Sequence, residues 1–228
     1  MKRHALTTRI WHWISAVLVV ILFMSGLTIS NAHPRLYWGE AGFMPQEAWL
    51  AVPRFPDWMT IPGYYSLAVA RDWHNLAVWP FALMLLFIWV AMLANRHFKR
   101  DIATTAEDWQ PRNIRRDIAA HLRLDFDHGT GKYNFFQKLA YGLVFGLFLP
   151  MMIFTGIAIS PGLGPTFGWL IDLLGGRQSA RSLHFIFAFA LFGFFVVHVV
   201  MVLLAGPARQ VSDMITGGKG KDGEADAP

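Results

Sequence analysis

The stretch RSLHFIFAFALFGFFVVHVVMVLLAG, residues 181–206, is apolar enough to cross a membrane and yet contains two histidines, His184 and His198. Apart from these two, no ionisable residue follows Arg181 in it. In an α-helix, fourteen residues correspond to a rise of about 21 Å and return a side chain to within about 40° of its starting direction. The two imidazoles are therefore predicted to lie on one face of a helix, at two depths of the bilayer.

The chain as a whole has the composition of a membrane protein, with 54% hydrophobic and 15% charged residues among 228. Four segments are long, apolar and free of Asp, Glu, Lys and Arg. Each is close to the ~20 residues that a helix needs to cross a bilayer. The spans are predicted at about Ile10 to Ser30, His74 to Ala94, Leu139 to Ser160 and Leu183 to Ala205.

These spans predict an all-α integral membrane protein, a four-transmembrane-helix bundle. Residues 1–206 would form the membrane domain, and residues 207–228 a disordered tail, because the chain ends on GGKGKDGEADAP. A cleaved signal peptide is the alternative for the first segment, which basic residues precede. Its apolar run is longer than the ~7–15 residues of a signal core, so we expect a retained helix.

Basic residues are distributed unevenly between the predicted connections. Fifteen Lys and Arg lie in the N-terminus, the segment 95–138 and the C-terminal tail, whereas five lie in the segments 31–71 and 161–181. Because cytoplasmic loops are enriched in Lys and Arg, both termini and the segment 95–138 are predicted to be cytoplasmic in a bacterial inner (plasma) membrane. We interpret the net charge of +5 as a topology signal, and nothing indicates nucleic-acid binding.

Two of the predicted connections have further patterns. Residues 31–71 would form a loop with five prolines and three tryptophans, and a loop of that length is unusual unless it is functional. A short surface helix is predicted within it, around Gln46 to Val52. On the cytoplasmic side, apolar and basic residues alternate at helical spacing from Asn113 to Leu124, which predicts an amphipathic helix on the lipid surface.

Two more histidines lie at the beginnings of other spans. His12 begins the first span at the cytoplasmic depth of His198, and His74 begins the second span at the external depth of His184. The other five histidines lie outside the spans. The sequence therefore predicts two imidazole pairs, one near each surface. Ionisable groups at membrane depth are functional candidates; the alternative is that each histidine is a satisfied polar residue of the bundle interior.

Either pair could bind a metal or relay protons. Zinc and copper sites usually need three or four protein ligands, and the spans contain no Cys or carboxylate to complete one. Two axial imidazoles suffice for haem iron, because the porphyrin supplies four nitrogens. Since the chain has no Cys to attach haem covalently, we predict two haems b. The distant alternative is a metal or proton transporter, although the spans offer no carboxylate relay.

Three of the four predicted ligands follow an arginine by three residues. The motifs are RIWH, RDWH and RSLH, which end at His12, His74 and His184. Three residues are about one helical turn, so each arginine lies on the ligand's side, one turn closer to water. Because arginine is well suited to carboxylates, we predict that these arginines bind haem propionates; the alternative is that they snorkel to the interface. The three are Arg9 at the cytoplasmic haem and Arg71 and Arg181 at the external haem.

Four glycines lie in the predicted first and third spans. They could let a flat macrocycle approach the backbone, or they could let membrane helices pack closely, and the sequence favours neither reading. The four are Gly26, Gly142, Gly146 and Gly156.

Residues 7–206 resemble the dihaem cytochrome b subunits of bacterial membrane-bound hydrogenases, formate dehydrogenases and thiosulfate reductases, the bacterial cytochrome b561 group. The resemblance rests on TRIWHWISAVLVVILFMSGL, on RDWHN, and on the two histidines of the last span with GGRQSARSLH before them. It implies that the four histidines ligate two haems b in the pairs given above. It also implies electron exchange with quinone near the cytoplasmic haem and a catalytic partner on the external face.

The predicted function is electron transfer across the membrane, as a subunit of a respiratory oxidoreductase complex. A periplasmic catalytic redox subunit, of molybdoenzyme, hydrogenase or cytochrome c type, would exchange electrons with the external haem. The cytoplasmic haem would exchange them with ubiquinone or menaquinone, and Arg9, His97 and the segment 95–138 are the candidates for quinone binding. The alternative is a stand-alone cytochrome that oxidises superoxide or another small reductant.

Overall fold

The computed structural model describes residues 5–40, 44–122 and 134–218. Four of its helical segments are long and apolar enough to cross a membrane, and each contains nearly all of a predicted span, with boundaries that differ by up to seven residues. The prediction of a mainly helical protein with four membrane-spanning segments is therefore confirmed. The segments are α1 (Leu6–Ala32), α2 (Leu67–Ala94), the continuous stretch Phe135–Ile159, and α7 (Arg177–Leu204).

The spans expose large apolar side chains over much of their surface. Phe87 and Leu93 in α2 are 72% and 73% exposed, and Val197 in α7 is 60% exposed. A bundle in water would bury such side chains, whereas a lipid environment accommodates them. These faces are therefore the lipid-contacting surface of the bundle.

The two ends of the bundle differ in the segments that connect the helices. One end, which we call the terminal end, includes the start of α1 and the short helices α3 (Pro111–Leu122) and α8 (Pro207–Thr216). The other, which we call the loop end, includes the long connection between α1 and α2 and the short helix α6 (Gly168–Leu173).

The third span contains a π-helical turn. Pro150 lacks the N–H that would bond to the carbonyl four residues earlier, so the α-helical hydrogen-bond ladder is interrupted there. The Phe145 carbonyl in this turn accepts a hydrogen bond of 3.1 Å from the indole N–H of Trp89 in α2. The π turn therefore links the second and third spans. The span consists of α4 (Phe135–Leu143), the π-helical segment Val144–Phe148 and α5 (Leu149–Ile159).

The long connection at the loop end folds as a small β-ribbon. Strand β1 (Arg35–Leu36) pairs antiparallel with β2 (Leu50–Ala51), and a 3₁₀ turn (Pro45–Glu47) lies between them. The prediction of a surface helix around Gln46 to Val52 is therefore wrong. Pro53 disfavours helical backbone at the residue before it, and the backbone of β2 finds its hydrogen-bond partners in β1 instead.

The ribbon packs onto the first turns of α7. Gly39 donates its backbone N–H to the Ser179 hydroxyl at 2.7 Å, and the Gly39 carbonyl accepts from Gln178. Gly176, just before α7, has φ of 108°, and a Cβ there would overlap the Gly39 carbonyl. Only glycine satisfies both the left-handed backbone and this approach. Two glycines therefore let the loop and the start of α7 touch through their backbones.

The indole of Trp49 and the hydroxyl of Ser182 extend the same contact. The Trp49 indole donates to the Ser182 hydroxyl at 3.0 Å, and that hydroxyl donates to the Tyr37 carbonyl at 2.6 Å. Ser182 is fully buried. A buried hydroxyl with both roles used fixes its neighbours, so the ribbon is attached to α7 close to His184.

At the terminal end, one expectation from the sequence is confirmed, and the expectation of a disordered tail is wrong for Pro207–Thr216. Helix α3 covers the predicted amphipathic helix up to Leu122, and residues 123–124 lie outside the described residues. The tail from residue 207 is not wholly disordered, because α8 occupies Pro207–Thr216. Residues 219–228 lie outside the described residues. Gly206 immediately precedes α8 and Gly217 immediately follows it, and both have a positive φ.

Candidate functional site

The four histidines of the spans face one another in two pairs. The ring centroids of His12 in α1 and His198 in α7 are 6.2 Å apart, and those of His74 in α2 and His184 in α7 are 6.5 Å apart. The first pair lies at the terminal end and the second at the loop end. The structure thus brings together the partners that depth alone predicted, and α7 contributes one imidazole to each pair.

The ring spacing fits an iron atom between two imidazoles. With metal–nitrogen bonds of about 2 Å, the centroids of two axial imidazoles lie about 6.3 Å apart. Both observed spacings agree with that value. In the described part of the chain no group of three or more His, Cys, Asp or Glu is placed to hold a metal ion. A pair of imidazoles is nevertheless a complete axial set for haem, whose porphyrin brings the other four donors.

The loop-end pair has a hydroxyl partner on His74. The Ser25 hydroxyl lies 3.0 Å from His74 Nδ1 and donates its own proton to the Ile21 carbonyl at 2.7 Å. With that proton directed to the carbonyl, the Ser25 oxygen can accept from the ring when Nδ1 carries the hydrogen. The Nε2 lone pair of His74 is then free to bind a metal. Ser25 is fully buried in α1.

His184 has the equivalent partner from the third span. The Thr155 hydroxyl in α5 lies 2.8 Å from His184 Nδ1 and donates to the Met151 carbonyl. By the same reasoning Nδ1 of His184 carries the hydrogen and Nε2 is available as a ligand. Thr155 is also fully buried. All four spans therefore contribute a side chain to the loop-end pair.

Two of the four predicted glycines lie against these same rings. A Cβ at Gly26 would be 3.8 Å from His74 Cε1, and one at Gly156 would be 3.5 Å from His184 Cε1. Gly146 instead faces the Phe98 ring, and a Cβ at Gly142 would meet nothing within 4 Å. Gly26 and Gly156 thus leave room beside the imidazoles, whereas Gly146 serves helix packing.

Positive charge gathers at the loop-end pair. Burial, and then the nearby Arg181 and Arg71 guanidinium groups, hold the pKa of His33 below its ordinary value of 6.5. Arg181 donates to the Gln178 side-chain oxygen at 3.1 Å. Neither Arg71 nor Arg181 pairs with a carboxylate among the described residues. Two neighbouring arginines without a carboxylate partner are suited to an anionic ligand.

The terminal-end pair is surrounded by polar atoms that lack partners. Arg9 Nε, Trp11 Nε1 and the Ser15 hydroxyl are buried, and no hydrogen bond satisfies them within the described residues. All three residues lie within one turn of His12 on α1. Leaving a buried polar atom unsatisfied costs about 1–3 kcal/mol. Their grouping around one imidazole indicates a polar ligand at this end, and Arg9 is the predicted propionate partner.

An open groove lies at the terminal end of the bundle, where α8 packs across the start of α1. The Trp13 indole donates to the Met214 carbonyl at 3.3 Å and joins the two helices. The groove has a volume of about 340 Å³ and a mainly apolar lining. That volume is in the range of small-molecule sites. The lining residues are Leu6, Arg9, Ile10, Trp13, Ile14, Met214 and Ile215.

His97, a predicted quinone-binding candidate, lies just before a π-helical segment at the terminal end. Its Nδ1 is 2.6 Å from an Asp101 carboxylate oxygen. The segment is Phe98–Ile102, and the Phe98 ring faces Gly146 in the third span. His97 therefore lies beside the third span, in contact with Asp101 rather than in either histidine pair.

Sequence reasoning did not identify Ser25 and Thr155. A signal for them exists, because SGLTIS at residues 25–30 and TGIAIS at residues 155–160 are similar hexapeptides. Each begins with a hydroxyl residue followed by glycine. A comparison of the first and third spans with each other would have exposed this repeat.

Two relatives cover nearly the whole chain. One is named as the protein-methionine-sulfoxide reductase subunit YedZ1 of Azospira oryzae and is 30% identical over 211 residues, which are 92% of this chain and 93% of that protein. Another is named as a Ni/Fe-hydrogenase B-type cytochrome subunit of Cupriavidus necator and is 28% identical over an alignment of 224 positions, which covers 92% of this chain and 82% of that protein. Both names are provisional assignments of those proteins. No solved structure matches the chain significantly.

A sequence profile described as prokaryotic cytochrome b561 matches residues 3–217. This range includes all four spans, both histidine pairs and the three arginines that precede histidines. Four long apolar helices in a cytochrome b561 framework make the chain a multi-pass inner-membrane protein. The resemblance found in the sequence is thereby confirmed, and the chain belongs to the prokaryotic cytochrome b561 family.

Proposed function

We propose that this chain binds two haems b and transfers electrons between a periplasmic catalytic subunit and the quinone pool. The observation that carries the proposal is the presence of two imidazole pairs, with ring spacings of 6.2 Å and 6.5 Å, at opposite ends of one bundle. Membership of a cytochrome b family supports haem b as the bound group. When bound, haem supplies reversible one-electron chemistry at its iron.

The four histidines are the proposed axial ligands. His12 and His198 hold the haem at the terminal end, and His74 and His184 hold the haem at the loop end. Each pair joins two helices, so ligation also ties the bundle together. Because α7 provides a ligand to both pairs, it fixes the distance between the two sites.

The three arginines that precede histidines are the proposed propionate partners. Arg9 serves the terminal-end haem, and Arg71 and Arg181 serve the loop-end haem. Support comes from the buried Arg9 Nε, which has no partner among the described residues, and from the Arg71 and Arg181 cluster around His33. Two carboxylates at each site would supply the missing acceptors and neutralise the local positive charge.

The orientation follows from the basic residues. Fifteen of the twenty Lys and Arg belong to the connections and termini of the terminal end, which we therefore place in the cytoplasm. The loop end then faces the periplasm. Electrons would cross between the two depths that His184 and His198 define on α7.

The quinone is proposed to bind at the terminal end, in the groove between α1 and α8. The groove is mainly apolar and includes Arg9, which precedes His12 by about one turn of α1. An apolar lining with one cationic donor suits a ring that carries carbonyl oxygens on a long apolar tail. The His97–Asp101 pair lies at the same end and is a proposed route for protons.

A catalytic redox subunit is proposed to dock at the loop end. The relatives support this assignment, because one is named as a reductase subunit and the other as a hydrogenase subunit. The connection between α1 and α2 supplies a folded surface there, in which Trp38 is 49% and Trp58 79% exposed. Exposed aromatic side chains are frequent anchors of protein interfaces.

Haem counting on purified variants tests the proposal. The unaltered protein should contain two low-spin haems b per chain. His184→Ala should retain only the terminal-end haem and His198→Ala only the loop-end haem, because each loses one of two axial ligands. His97→Ala, which alters a histidine outside both pairs, is the matched control and should retain two. A His184→Ala or His198→Ala protein that still binds two haems would contradict the pairing.

Co-purification distinguishes the subunit from a stand-alone cytochrome. Tagged protein extracted gently from its own membranes should bring a redox subunit with it in constant proportion. A preparation that reduces quinone with superoxide and carries no companion subunit would instead support the stand-alone alternative.

A further inference from the structure

Two matching hydroxyl contacts surround the loop-end imidazoles. Ser25 in α1 contacts His74 in α2 at 3.0 Å, and Thr155 in α5 contacts His184 in α7 at 2.8 Å. In each case the atom on the imidazole is Nδ1, and the hydroxyl proton goes to a carbonyl of its own helix. Both hydroxyls are fully buried. The two contacts are therefore equivalent, one between α1 and α2 and the other between α5 and α7, which form the two halves of the bundle.

The sequence repeats this arrangement. The hexapeptides SGLTIS (25–30) and TGIAIS (155–160) place hydroxyl, glycine, branched aliphatic, small residue, Ile and Ser in the same order. In each hexapeptide the glycine lies against the same ring that the hydroxyl contacts, with Cβ-to-Cε1 distances of 3.8 Å and 3.5 Å. A repeated two-residue unit thus provides both the hydrogen bond and the space for the ring edge.

We infer that Ser25 and Thr155 are positioning residues that set the orientation and donor strength of the two loop-end haem ligands. This inference rests on the proposed function. A hydroxyl that already donates to a carbonyl can only accept from the imidazole, which fixes the hydrogen on Nδ1 and leaves Nε2 as the ligand atom. Such a hydrogen bond also raises the basicity of a metal-ligating histidine.

The physical consequence concerns the reduction potential. A more basic imidazole donates more charge to the iron and stabilises its oxidised form relative to its reduced form. The two hydroxyls therefore lower the potential of the loop-end haem. Because Ser25 and Thr155 contact the two loop-end rings, the effect is specific to that haem.

A second consequence concerns the binding of that haem. Outer partners of metal-bound histidines typically contribute about 10- to 100-fold to metal affinity. Without the hydroxyl, a buried Nδ1–H would lose one acceptor, and the ring could rotate away from its ligand orientation. Removing either hydroxyl should therefore speed the release of the loop-end haem as well as raise its potential.

The test compares Ser25→Ala and Thr155→Ala with the swaps Ser25→Thr and Thr155→Ser in the full-length, haem-loaded protein. The midpoint potential of each haem is measured by spectroelectrochemistry, together with the low-spin EPR signal and the transfer of haem to an acceptor globin. Both alanine variants should move the loop-end midpoint to a higher value, and the terminal-end midpoint should not change. The swaps keep a hydroxyl and should restore the loop-end midpoint.

Thr28→Ala is the matched control. Thr28 is a buried hydroxyl residue on the same helix as Ser25, but it donates to the Ile61 carbonyl and not to a histidine. It should lower stability without moving either midpoint. If Thr28→Ala shifts the loop-end midpoint as much as Ser25→Ala does, or if the swaps fail to restore it, the positioning role is wrong.

The outcomes also separate this inference from the proposed function. If the alanine variants bind two haems with an unchanged loop-end midpoint and EPR signal, only the positioning role fails. If His184→Ala retains both haems, the haem pairing itself fails. Loss of the loop-end haem in the alanine variants, with retention in the swaps, supports the inference.

Discussion

The loop-end and terminal-end histidine pairs have similar ring spacings, 6.5 Å and 6.2 Å, but their surroundings differ. At the loop end, both rings are held by buried hydroxyls, and a β-ribbon packs over the start of α7. At the terminal end, buried donors beside His12 have no partner among the described residues, His198 is exposed, and an apolar groove opens nearby. One site is enclosed by protein, and the other is open at the side.

The internal repeat explains part of this difference. Aligning SGLTIS with TGIAIS places His12 opposite Gly142, and aligning RDWH with RSLH places His198 opposite Ile88. The loop-end pair thus uses equivalent positions of the two halves of the bundle, whereas the terminal-end pair does not. An enclosed site suits exchange with a docked subunit, and an open one suits a diffusible quinone, in agreement with the proposed direction of the bundle.

The largest expected effect that separates the two ends is that of Gly176→Ala. A Cβ there would overlap the Gly39 carbonyl, and φ is 108°, so strain and displacement together should cost at least about 2–3 kcal/mol. The loop-end haem should be lost at a lower temperature than the terminal-end haem. Thermal scans that follow each haem's absorbance measure this, with Gly168→Ala, whose Cβ would meet nothing within 4 Å, as control. A uniform loss of both haems would contradict the local character of the contact.

The next largest effects are expected from Arg9 and Arg181, each of which should affect the binding of a different haem. Arg9→Gln should weaken binding of the terminal-end haem and Arg181→Gln binding of the loop-end haem, because each removes one proposed charge-assisted bond to a propionate, worth about 1.5–3 kcal/mol. Affinity for the affected haem should fall about tenfold or more. Haem titration of each variant checks this result. Arg54→Gln, which alters an exposed arginine paired with Asp57, should change neither site.

A smaller effect is expected from Trp49→Phe. The substitution removes the indole N–H that donates to Ser182 and keeps most of the apolar ring, so the free energy of unfolding should fall by about 1 kcal/mol. The Ser182 hydroxyl still donates to Tyr37, which limits the loss. Denaturation followed at the loop-end haem should report the change. Trp58→Phe, at a 79% exposed indole, should have no such effect.

The smallest effect is a shift in the titration of His33. In the haem-free protein its pKa lies below 6.5, because burial and the nearby arginines disfavour the charged ring. The contribution of His33 to folding stability is therefore fully present above pH 6.5 and is lost as the pH falls through the lowered pKa. Two propionates beside Arg71 and Arg181 would favour the protonated ring and raise the pKa. NMR titration with and without haem measures this shift, and an unchanged pKa would argue against propionates at these arginines.

Much of this architecture could be predicted from the sequence, because the signals were strong and local. Four apolar runs give the spans, and the fourteen-residue interval between His184 and His198 follows from the helical period. The pairing with His12 and His74 requires only the alternation of span direction. These inferences depend on the geometry of a single helix and on the thickness of a bilayer.

The contacts that distinguish the two ends depend on tertiary structure and were harder to predict. The sequence predicts a helix within the segment that forms the β-ribbon. Local residue propensities cannot reveal that Leu50 and Ala51 pair with Arg35 and Leu36, which are distant in sequence. Helix α8 was missed because the glycine-rich, charged end of the chain suggested disorder for the whole tail. The helix-boundary signals of α8 are Gly206 and Pro207 at its start and Gly217 at its end, and they enclose only ten residues.

Since α7 provides one imidazole to each pair, the thirteen residues between His184 and His198 determine both the distance and the angle between those two imidazoles. A single inserted residue would turn one imidazole by about 100° relative to the other, and seven would restore the direction but move it by about 10 Å in depth. No change of length therefore preserves both angle and depth. The interval should accept many apolar replacements over evolutionary time and very few insertions or deletions.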